Sequence, residues 1–287
     1  MRSEARSPCR IAWLFAISWL LCVSTANAGD ARPWIVGTYA YPDRDRAAAI
    51  QPLADYLSTR GAHPAEVRLF NSPSALVEAL RVGEADIGVP NLHGFLQARR
   101  LPDRIVPLPV PDVPLAQADR YRSVIVARDG IASDEALQRD APRLVLAMVG
   151  RDSASGGFVP ARGLRELGLE ADGGFASLRY VGSHAAALEA LASGEADVAA
   201  LAADVHDRAG VTGLHVLWRS APIPPGPLLC RVSDGMPCEA ISAWLLEAHL
   251  HDASVMAALR EGWPEFGDAE AFRAADLPPL DALVDEI

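Results

Sequence analysis

Hydrophobic and polar positions follow two different periods along this chain, and the two periods alternate. Short apolar runs predict strands at residues 34–38, 67–70, 85–89, 143–149, 178–182 and 197–202. Apolar positions at helical spacing predict a first helix that ends near residue 58. They predict further helices at residues 74–81, 91–99, 156–167 and 185–192, and helices over residues 239–260. Strands that alternate with helices in this way are typical of parallel sheets, so we expect an α/β fold.

One segment of this pattern occurs twice. Residues 77–88 read VEALRVGEADIG, and residues 188–199, which lie 111 positions later, read LEALASGEADVA with seven of twelve positions identical. The spacing before Gly83 and Gly194 is helical, and glycine accepts the left-handed conformation that ends many helices. A period of 111 residues is too long for a solenoid or propeller. We therefore expect two similar lobes with a site between them.

The chain is expected to cross between the lobes twice. Residues 29–122 and 222–287 are assigned to lobe I, and residues 123–221 to lobe II. A β-prone segment at residues 122–127 makes the first crossing, and residues 219–223 lead into a proline-rich return that excludes helix. We expect the lobes to close by a hinge motion about these two crossings.

The first 28 residues have the pattern of a cleavable signal peptide. Three arginines precede an apolar run of fourteen residues at 11–24, and an Ala-Asn-Ala sequence ends at Ala28. The run is short for a membrane span. Cys22 raises a lipoprotein as the alternative, although Leu21 before it is large for a lipobox. We expect a soluble periplasmic protein of 259 residues after cleavage of the 287-residue chain.

Charge narrows the choice of partner. The whole chain carries a formal net charge of −11, and the mature part has 23 arginines against 36 acidic residues. An acidic protein of this kind is unsuited to nucleic acid or to an anionic membrane surface. A small anion is not excluded, because local donors outweigh a screened global field. No metal or other cofactor is expected, since His249 and His251 would point apart on their predicted helix.

Two cysteines remain after the leader, Cys230 and Cys238, eight positions apart with Gly235 and Pro237 between them. An even pair in an exported chain predicts a disulfide. Two free buried thiols are the alternative.

The 111-residue offset also predicts where the site lies. It places residues 39–43 opposite residues 150–154, residues 71–73 opposite residues 182–184, and His93 opposite Asp204. These positions follow the first, second and third strands of each lobe, and ligands of open parallel sheets bind beyond the carboxyl ends of strands. The six loops are therefore expected to meet in one cleft, with lobe I closing over the ligand from Tyr39, Ser72 and Asn91.

The loop with the clearest chemistry is GRDSASGGFVP at residues 150–160. A helix begins there after a buried strand, so Ser153, Ala154, Ser155 and Gly156 would offer hydroxyl and amide donors to an anion at the positive end of the helix dipole. The simpler interpretation is a helix cap with glycines that serve the turn.

His184 opens the next helix of lobe II. It would donate to the same anion, with a charge that depends on pH near the reference pKa of histidine, or it would only cap its helix. Tyr39 and Tyr41 would form an aromatic wall or pack against Pro42. Arg151 would either add a charged donor or lie in solvent.

These motifs together resemble the phosphonate- and phosphite-binding proteins of ABC transporters, the PhnD-like family. The family pattern D-P-x-S-T-S-G-x-x-x-P is similar to residues 150–160, its helix-opening G-H resembles Ser183-His184, and its return segment W-x-S-x-x-I-P resembles residues 218–224. The resemblance covers essentially the whole mature chain. It implies a type II periplasmic binding fold and non-catalytic capture of a phosphonate, phosphite or phosphate. It further implies a monomer that works with a membrane permease.

The chain departs from that pattern in its anion loop. Ser153 and Ser155 occupy the outer hydroxyl positions, but Ala154 replaces the central threonine, and Gly150-Arg151 replaces the leading Asp-Pro. One hydroxyl donor of the family is therefore missing.

Further departures concern the rest of the family's ligand pocket. Pro73 and Pro90 stand where tyrosines cover the ligand in aminoethylphosphonate binders. Of the two acids that hold the amine there, one position carries Asp204 and the other corresponds to Gly226. A phosphonate without an amine, phosphite, phosphate or another small anion therefore fits better than an ammonium-bearing phosphonate.

Three alternatives stay open at this point. An exported sensor that presents its bound form to a membrane partner would have the same architecture. A serine hydrolase would use Ser155 as nucleophile with Asp204 and either His206 or His215, although no distinctive spacing supports it. A thiamine-precursor-type enzyme or binder could also be built on two lobes.

Overall fold

The computed structural model describes residues 32–118 and 120–286, so the predicted leader with Cys22 lies outside the described residues. The strands are β1 Trp34–Tyr39, β2 Ala65–Phe70, β3 Ile87–Gly88, β4 Ile105–Pro107, β5 Val110–Pro111, β6 Ser123–Arg128, β7 Val145–Met148, β8 Ser177–Tyr180, β9 Val198–Ala202, β10 Leu214–Arg219, β11 Leu229–Arg231 and β12 Phe272–Arg273. None of the helices within the described ranges combines the length and apolar character that a membrane span requires.

The α-helices are α1 Arg46–Gly61, α2 Pro73–Val82, α3 Leu92–Arg99, α4 Leu115–Ala118, α5 Asp134–Asp140, α6 Val159–Glu166, α7 His184–Ala192, α8 Ala203–Ala209, α9 Cys238–His251, α10 Ser254–Gly262 and α11 Pro278–Asp281. The helices predicted over residues 239–260 are α9 and α10, which are separated where Asp252 ends α9 and accepts a hydrogen bond from the Ser254 amide at 2.9 Å. α5, α8 and β11 were not predicted.

Two five-stranded sheets repeat one strand order. The first runs β2-β1-β3-β11-β4, and the second, read in the matching direction, runs β8-β7-β9-β6-β10. In each, the first three strands of the repeat lie in the same relative places. We call the part of the chain built on the first sheet lobe I and the part built on the second sheet lobe II. The duplication inferred from sequence is thus a duplication of topology.

Each sheet is mixed rather than wholly parallel. Three neighbouring strands are parallel in both sheets, as predicted. β11 runs antiparallel to β3 and β4, and β6 runs antiparallel to β9 and β10. β6 and β11 are the first strands after the two crossings. Each sheet therefore has one reversed strand, at the point where the chain enters it from the other lobe.

The identical residues of the repeat have structural roles. Gly83 and Gly194 end the preceding helices with φ angles of +86° and +78°, which side chains rarely adopt. The carboxylate of Asp86 accepts a hydrogen bond from the Ile35 amide at 2.9 Å, and that of Asp197 accepts one from the Val145 amide at 2.8 Å. The aspartates therefore fix the start of the equivalent strands β1 and β7.

The two crossings run side by side. Ser220 and Ser123 are joined twice, by the Ser220 amide to the Ser123 carbonyl and by the Ser123 amide to the Ser220 hydroxyl, both at 2.9 Å. The Ile223 amide donates to the Tyr121 carbonyl at 2.8 Å. The predicted domain boundaries and the hinge motion stay predictions.

Separate apolar cores cover the faces of the sheets. In lobe I, α1 and α10 bury Leu53, Leu57 and Trp263 on one face of the first sheet, together with Cys230. In lobe II, Ile125 and Leu146 belong to a comparable cluster. The predicted disulfide joins Cys230 to Cys238, with the two Cα atoms 5.9 Å apart, and so ties β11 to the start of α9.

Candidate ligand-binding site

A cavity of about 460 Å³ lies between the carboxyl ends of the two sheets. The loops that follow β1, β2 and β3 in lobe I and β7, β8 and β9 in lobe II all line it. This confirms that the six loops meet. Seven of the nine predicted site residues line the cavity: Tyr39, Ser72, Asn91, Ser153, Ala154, His184 and Asp204.

The lobe II loop is held by a π-helical turn, Ala154–Phe158, ahead of α6. Ser153 caps this turn, because its hydroxyl oxygen accepts a hydrogen bond from the Gly156 amide at 3.2 Å. A Cβ atom on Gly157 would lie 2.0 Å from the Gly150 carbonyl oxygen, so the turn requires glycine there. The cap interpretation is therefore right. It does not exclude ligand contact, since the Ser153 hydroxyl hydrogen is still free to donate into the cavity.

Ser155 and Gly156 lie behind the cavity wall. The buried Ser155 hydroxyl is 2.7 Å from the Tyr121 hydroxyl and 3.3 Å from Nε2 of His184. Tyr121 itself lines the cavity, and burial raises its pKa well above the usual value. Ser155 is thus placed to orient Tyr121 rather than to touch a ligand, and its predicted direct contact stays a prediction.

The expected pH-dependent charge of His184 near pH 6.5 is wrong. Burial lowers the pKa of His184 to about 4, so the ring is neutral at physiological pH. Its Nδ1 accepts a hydrogen bond from the Ala202 amide at 3.0 Å, which leaves the hydrogen on Nε2, facing Ser155. His184 therefore acts as a neutral donor and a fixed part of the wall.

The same tautomer argues against a serine hydrolase. A general base must accept the serine proton, but Nε2 of His184 already carries a hydrogen. The alternative bases lie elsewhere: His206 is 3.0 Å from Asp207, and His215 is 3.1 Å from Asp129. The hypothetical catalytic set around Ser155 is not assembled.

In lobe I, the N-termini of α2 and α3 hold the lobe II loop. Ser72 caps α2 by accepting from the Ala75 amide at 3.2 Å, and Asp152 of lobe II accepts from the Ser74 amide at 3.2 Å. Asn91 caps α3, and its side-chain amide donates to the Asp152 carbonyl at 3.0 Å. Asn91 thus joins the lobes, and its side-chain nitrogen has a second hydrogen that this bond does not use.

Tyr41 makes a further contact between the lobes. Its hydroxyl accepts a hydrogen bond from the His184 amide at 3.3 Å, at the first residue of α7. Tyr39 is buried beside it, and burial raises its pKa to about 12. Both tyrosines line the cavity, which favours the aromatic wall over packing on Pro42.

The sequence reasoning missed Arg46, the first residue of α1. This side chain is only 5% exposed and lines the cavity. Its guanidinium carbon lies 4.1 Å from the Tyr39 ring centre and 4.7 Å from that of Trp263, and Nε donates to the Gly262 carbonyl at 3.2 Å. A cation directly after the first predicted cleft loop was the signal that could have found it.

Two carboxyl groups lie in the same cavity. Asp204 pairs through Oδ2 with Arg208 at 2.6 Å, while its buried Oδ1 has no hydrogen-bond partner among the described residues. Glu265 is buried, which raises its pKa, and it was also missed. Gly226 offers no place for an acid, since a Cβ atom there would lie 2.7 Å from the Asn91 carbonyl oxygen.

The other residues singled out in the sequence are Arg151, Pro73 and Pro90, and no metal was expected. Arg151 is largely exposed and pairs with Asp172 at 3.0 Å, so the solvent interpretation is right. Pro73 lines the cavity, whereas Pro90 does not. Within residues 32–118 and 120–286, no group of three or more histidine, cysteine or acidic side chains is arranged to hold a metal ion.

Two mixed sheets with a ligand-sized cavity between them define a two-lobed binding protein of the periplasmic type. The family model described as "ABC transporter, phosphonate, periplasmic substrate-binding protein" matches residues 37–271. Since the match covers more than half of the chain, the protein belongs to this family, which is one of periplasmic solute-binding proteins that work with ABC transporters.

Solved structures share the fold. XAC2383 from Xanthomonas citri, bound to chloride, is similar with a TM-score of 0.70 and 21% identity over 88% of this chain and 97% of that one. A binding protein component of an ABC phosphonate transporter from Pseudomonas aeruginosa gives 0.68 and 18% over 89% and 85%. PhnD1 from Prochlorococcus marinus, in complex with methylphosphonate, gives 0.65 and 17% over 88% and 98%.

Proposed function

We propose that this protein is the exported solute-binding component of an ABC transporter and captures a small oxyanion, of the phosphonate, phosphite or phosphate type, between its lobes. It does so without catalysis. The carrying observation is the cavity of about 460 Å³ lined by all six carboxyl-end loops. A cavity of this size is within the range of small-molecule sites, and the loops that line it come from both lobes.

The donors around the cavity support an oxyanion. Hydroxyl hydrogens of Ser153, Tyr41 and Tyr121 are available on its walls, since each oxygen can accept from its protein partner and still donate. Arg46 adds a positive charge on the lobe I side. Preorganised neutral and charged donors of this kind replace the water shell of an anion.

The route to the cavity follows from the leader and the family. The signal peptide is proposed to be cleaved after Ala28, releasing a soluble monomer into the periplasm. The loaded protein would then dock on a membrane permease, its protein partner. Closure would bend the paired crossings near Tyr121 and Ser220.

A thermal-shift screen of the mature protein tests this proposal. The panel is phosphate, phosphite, methylphosphonate, aminoethylphosphonate, sulfate and small carboxylates. A ligand that binds only the native state raises the melting temperature, so at least one oxyanion should give a concentration-dependent rise. No rise with any of them would reject the proposal.

Ser153→Ala is the variant that connects the shift to the cavity, and Ser133→Ala is its matched control. Both serines cap a helical segment, but Ser133 caps α5 and does not line the cavity. Each should lose about 1 kcal/mol of stability with its cap. Only Ser153→Ala should also reduce the rise produced by the oxyanion. Equal reductions in the two variants would place the ligand elsewhere.

A further inference from the structure

Arg46 stands where stability disfavours a cation. It is the first residue of α1, next to the positive end of the helix dipole, where the N-cap Asp45 offsets the dipole but no acidic residue of the first turn does. The side chain is also buried, where an ionised group loses its hydration. An arginine at such a place therefore needs a reason other than the folding of its own helix.

The contacts of Arg46 leave one of its nitrogen atoms without a hydrogen-bond partner among the described residues. Nε donates to the Gly262 carbonyl, and the rings of Tyr39 and Trp263 cover the guanidinium. Buried Nη1 has no hydrogen-bond partner among the described residues. The described part of the chain also contains no ion pair between Arg46 and Glu265, although the two charges are close enough to influence each other. A buried, unpartnered donor on a cation that lines a cavity points to a ligand.

The aromatic platform explains how the cation is held ready. Three ring centres, those of Tyr39, Tyr41 and Trp263, lie 4.1, 5.1 and 4.7 Å from the guanidinium carbon. Such rings stabilise a cation by their π faces. The planar fork is thereby held at the cavity wall with Nη1 lacking a hydrogen-bond partner among the described residues, and a guanidinium can offer two parallel hydrogen bonds to one anion.

We propose that Arg46 is the specificity-determining residue of the site: its guanidinium binds two oxygens of an ionised oxyanion and excludes neutral isosteres. This inference rests on the proposed function and names its ligand class. The ligand carries a full negative charge shared by at least two unsubstituted terminal oxygens, as in a phosphonate, phosphate, sulfonate or carboxylate. An esterified phosphonate without a charge should be rejected.

The test is calorimetric titration with methylphosphonate, the anion, and with dimethyl methylphosphonate, its neutral ester. The proteins compared are mature wild type, Arg46→Met, Arg46→Lys and the control Arg260→Met. Arg260 is a matched control because it donates to the backbone carbonyl of Ala269 at 3.2 Å in the same lobe but does not line this cavity. If another anion of the panel gives the larger thermal shift, that anion and its neutral ester or amide replace the pair.

Wild type should bind the anion and not the neutral ester. Arg46→Met should weaken anion binding by about 10- to 100-fold, as expected for loss of hydrogen bonds to a charged group. Arg46→Lys should fall between the two, since it keeps the charge but not the fork, and Arg260→Met should bind as wild type does. The melting temperature of ligand-free Arg46→Met should fall no further than that of Arg260→Met, because an unpartnered buried donor is removed.

The failures are distinguishable. If wild type binds no anion, the proposed function itself fails. If wild type binds and Arg46→Met binds equally well, the function stands and the role of Arg46 is overturned. If Arg46→Met does not fold, Arg46→Lys decides: affinity equal to wild type would make Arg46 a structural residue and overturn the inference, while weakened binding by a folded protein would support it.

Discussion

The loops that follow β1 in lobe I and β7 in lobe II occupy equivalent places and offer a ligand different chemistry. The lobe II loop, residues 150–158, is a serine-capped turn with neutral donors and two glycines packed too tightly for a side chain. The lobe I loop after β1 ends at Arg46, which lies buried among aromatic rings. By the 111-residue offset, Arg46 corresponds to Gly157. One position of a duplicated fold thus holds a large cation in one lobe and excludes every side chain in the other.

The residues that build the framework are alike in the two lobes, whereas the residues of the cleft differ. Gly83 and Gly194, Asp86 and Asp197, and the helix caps Ser72 and Ser183 keep the same roles in both lobes. Apart from Ser72, the cavity-lining residues of the six loops differ from their counterparts in the other lobe. A ligand that contacts both Arg46 and Ser153 can be held only by both lobes, so we expect closure to be part of recognition.

The largest expected effect is at Gly157. Gly157→Ala would place a methyl group 2.0 Å from the Gly150 carbonyl oxygen, which is backbone and cannot move aside cheaply. We expect a loss of about 3 kcal/mol or more and loss of ligand binding. Chemical denaturation checks it. Gly150→Ala is the control, since the nearest atom to its new methyl group is 3.8 Å away. Equal stability of the two variants would contradict the tight turn.

The next effect concerns His184, whose counterpart in lobe I is Pro73. Burial lowers the folded-state pKa of His184 from 6.5 to about 4, so the unfolded chain binds the extra proton first as pH falls. The free energy of unfolding should therefore decline between pH 6.5 and pH 4, by up to about 3 kcal/mol.

His184→Gln should lack this contribution. Urea unfolding of both proteins at pH 7.5 and pH 4.5 isolates it, because other titrating groups, such as buried His93, are present in both. The stability difference between wild type and variant should shrink at the lower pH. A difference that does not change with pH would show that His184 is not buried as a neutral ring.

The disulfide distinguishes the two reversed strands, since β11 is tied to α9 by Cys230–Cys238 and β6 has no such bridge. A closed loop of this length is worth about 2.5 kcal/mol in the chain-entropy model. Replacing both cysteines by alanine should therefore lower stability by about that amount, as measured by denaturation. The lobe I core should melt first in hydrogen exchange. Two reactive thiols in denatured, unreduced wild-type protein would contradict the bridge.

The smallest effects concern the caps that duplication kept. Ser72 accepts from the Ala75 amide at 3.2 Å and Ser183 from the Ala186 amide at 3.1 Å. Alanine at either position should cost about 1 kcal/mol. Thermal denaturation should give nearly equal losses for the two variants. A loss confined to one of them would mean that the two caps have diverged in role as the cavity residues have.

Much of the framework could be predicted from sequence because it depends on local patterns. The repeat around Gly83 and Gly194, the alternation of strands and helices and the place of the cleft all follow from periodicity and one offset. The reversed strands β6 and β11 were not predicted as such, because each pairs with strands that are distant in sequence: β6 with β9 and β10, and β11 with β3 and β4.

Only part of the site was predicted from sequence. The serine turn has a local motif, so Ser153 was found, but Ser155 faces Tyr121, a partner 34 positions away in sequence. Arg46 belongs to no motif, and its burial depends on Trp263, which the chain reaches only after its second crossing. Contacts between segments so distant in sequence leave no local pattern, and the pKa of His184 likewise depends on packing across the cleft.

The central claim is that both lobes bind one oxyanion in the cavity. A crystal structure of the mature protein with the anion that gives the largest thermal shift tests it most directly. The account predicts the anion within about 3 Å of Arg46 on one side and of the Ser153 hydroxyl on the other, the length of a hydrogen bond. Density for the anion outside this cavity, or an empty cavity at saturating anion, would contradict it.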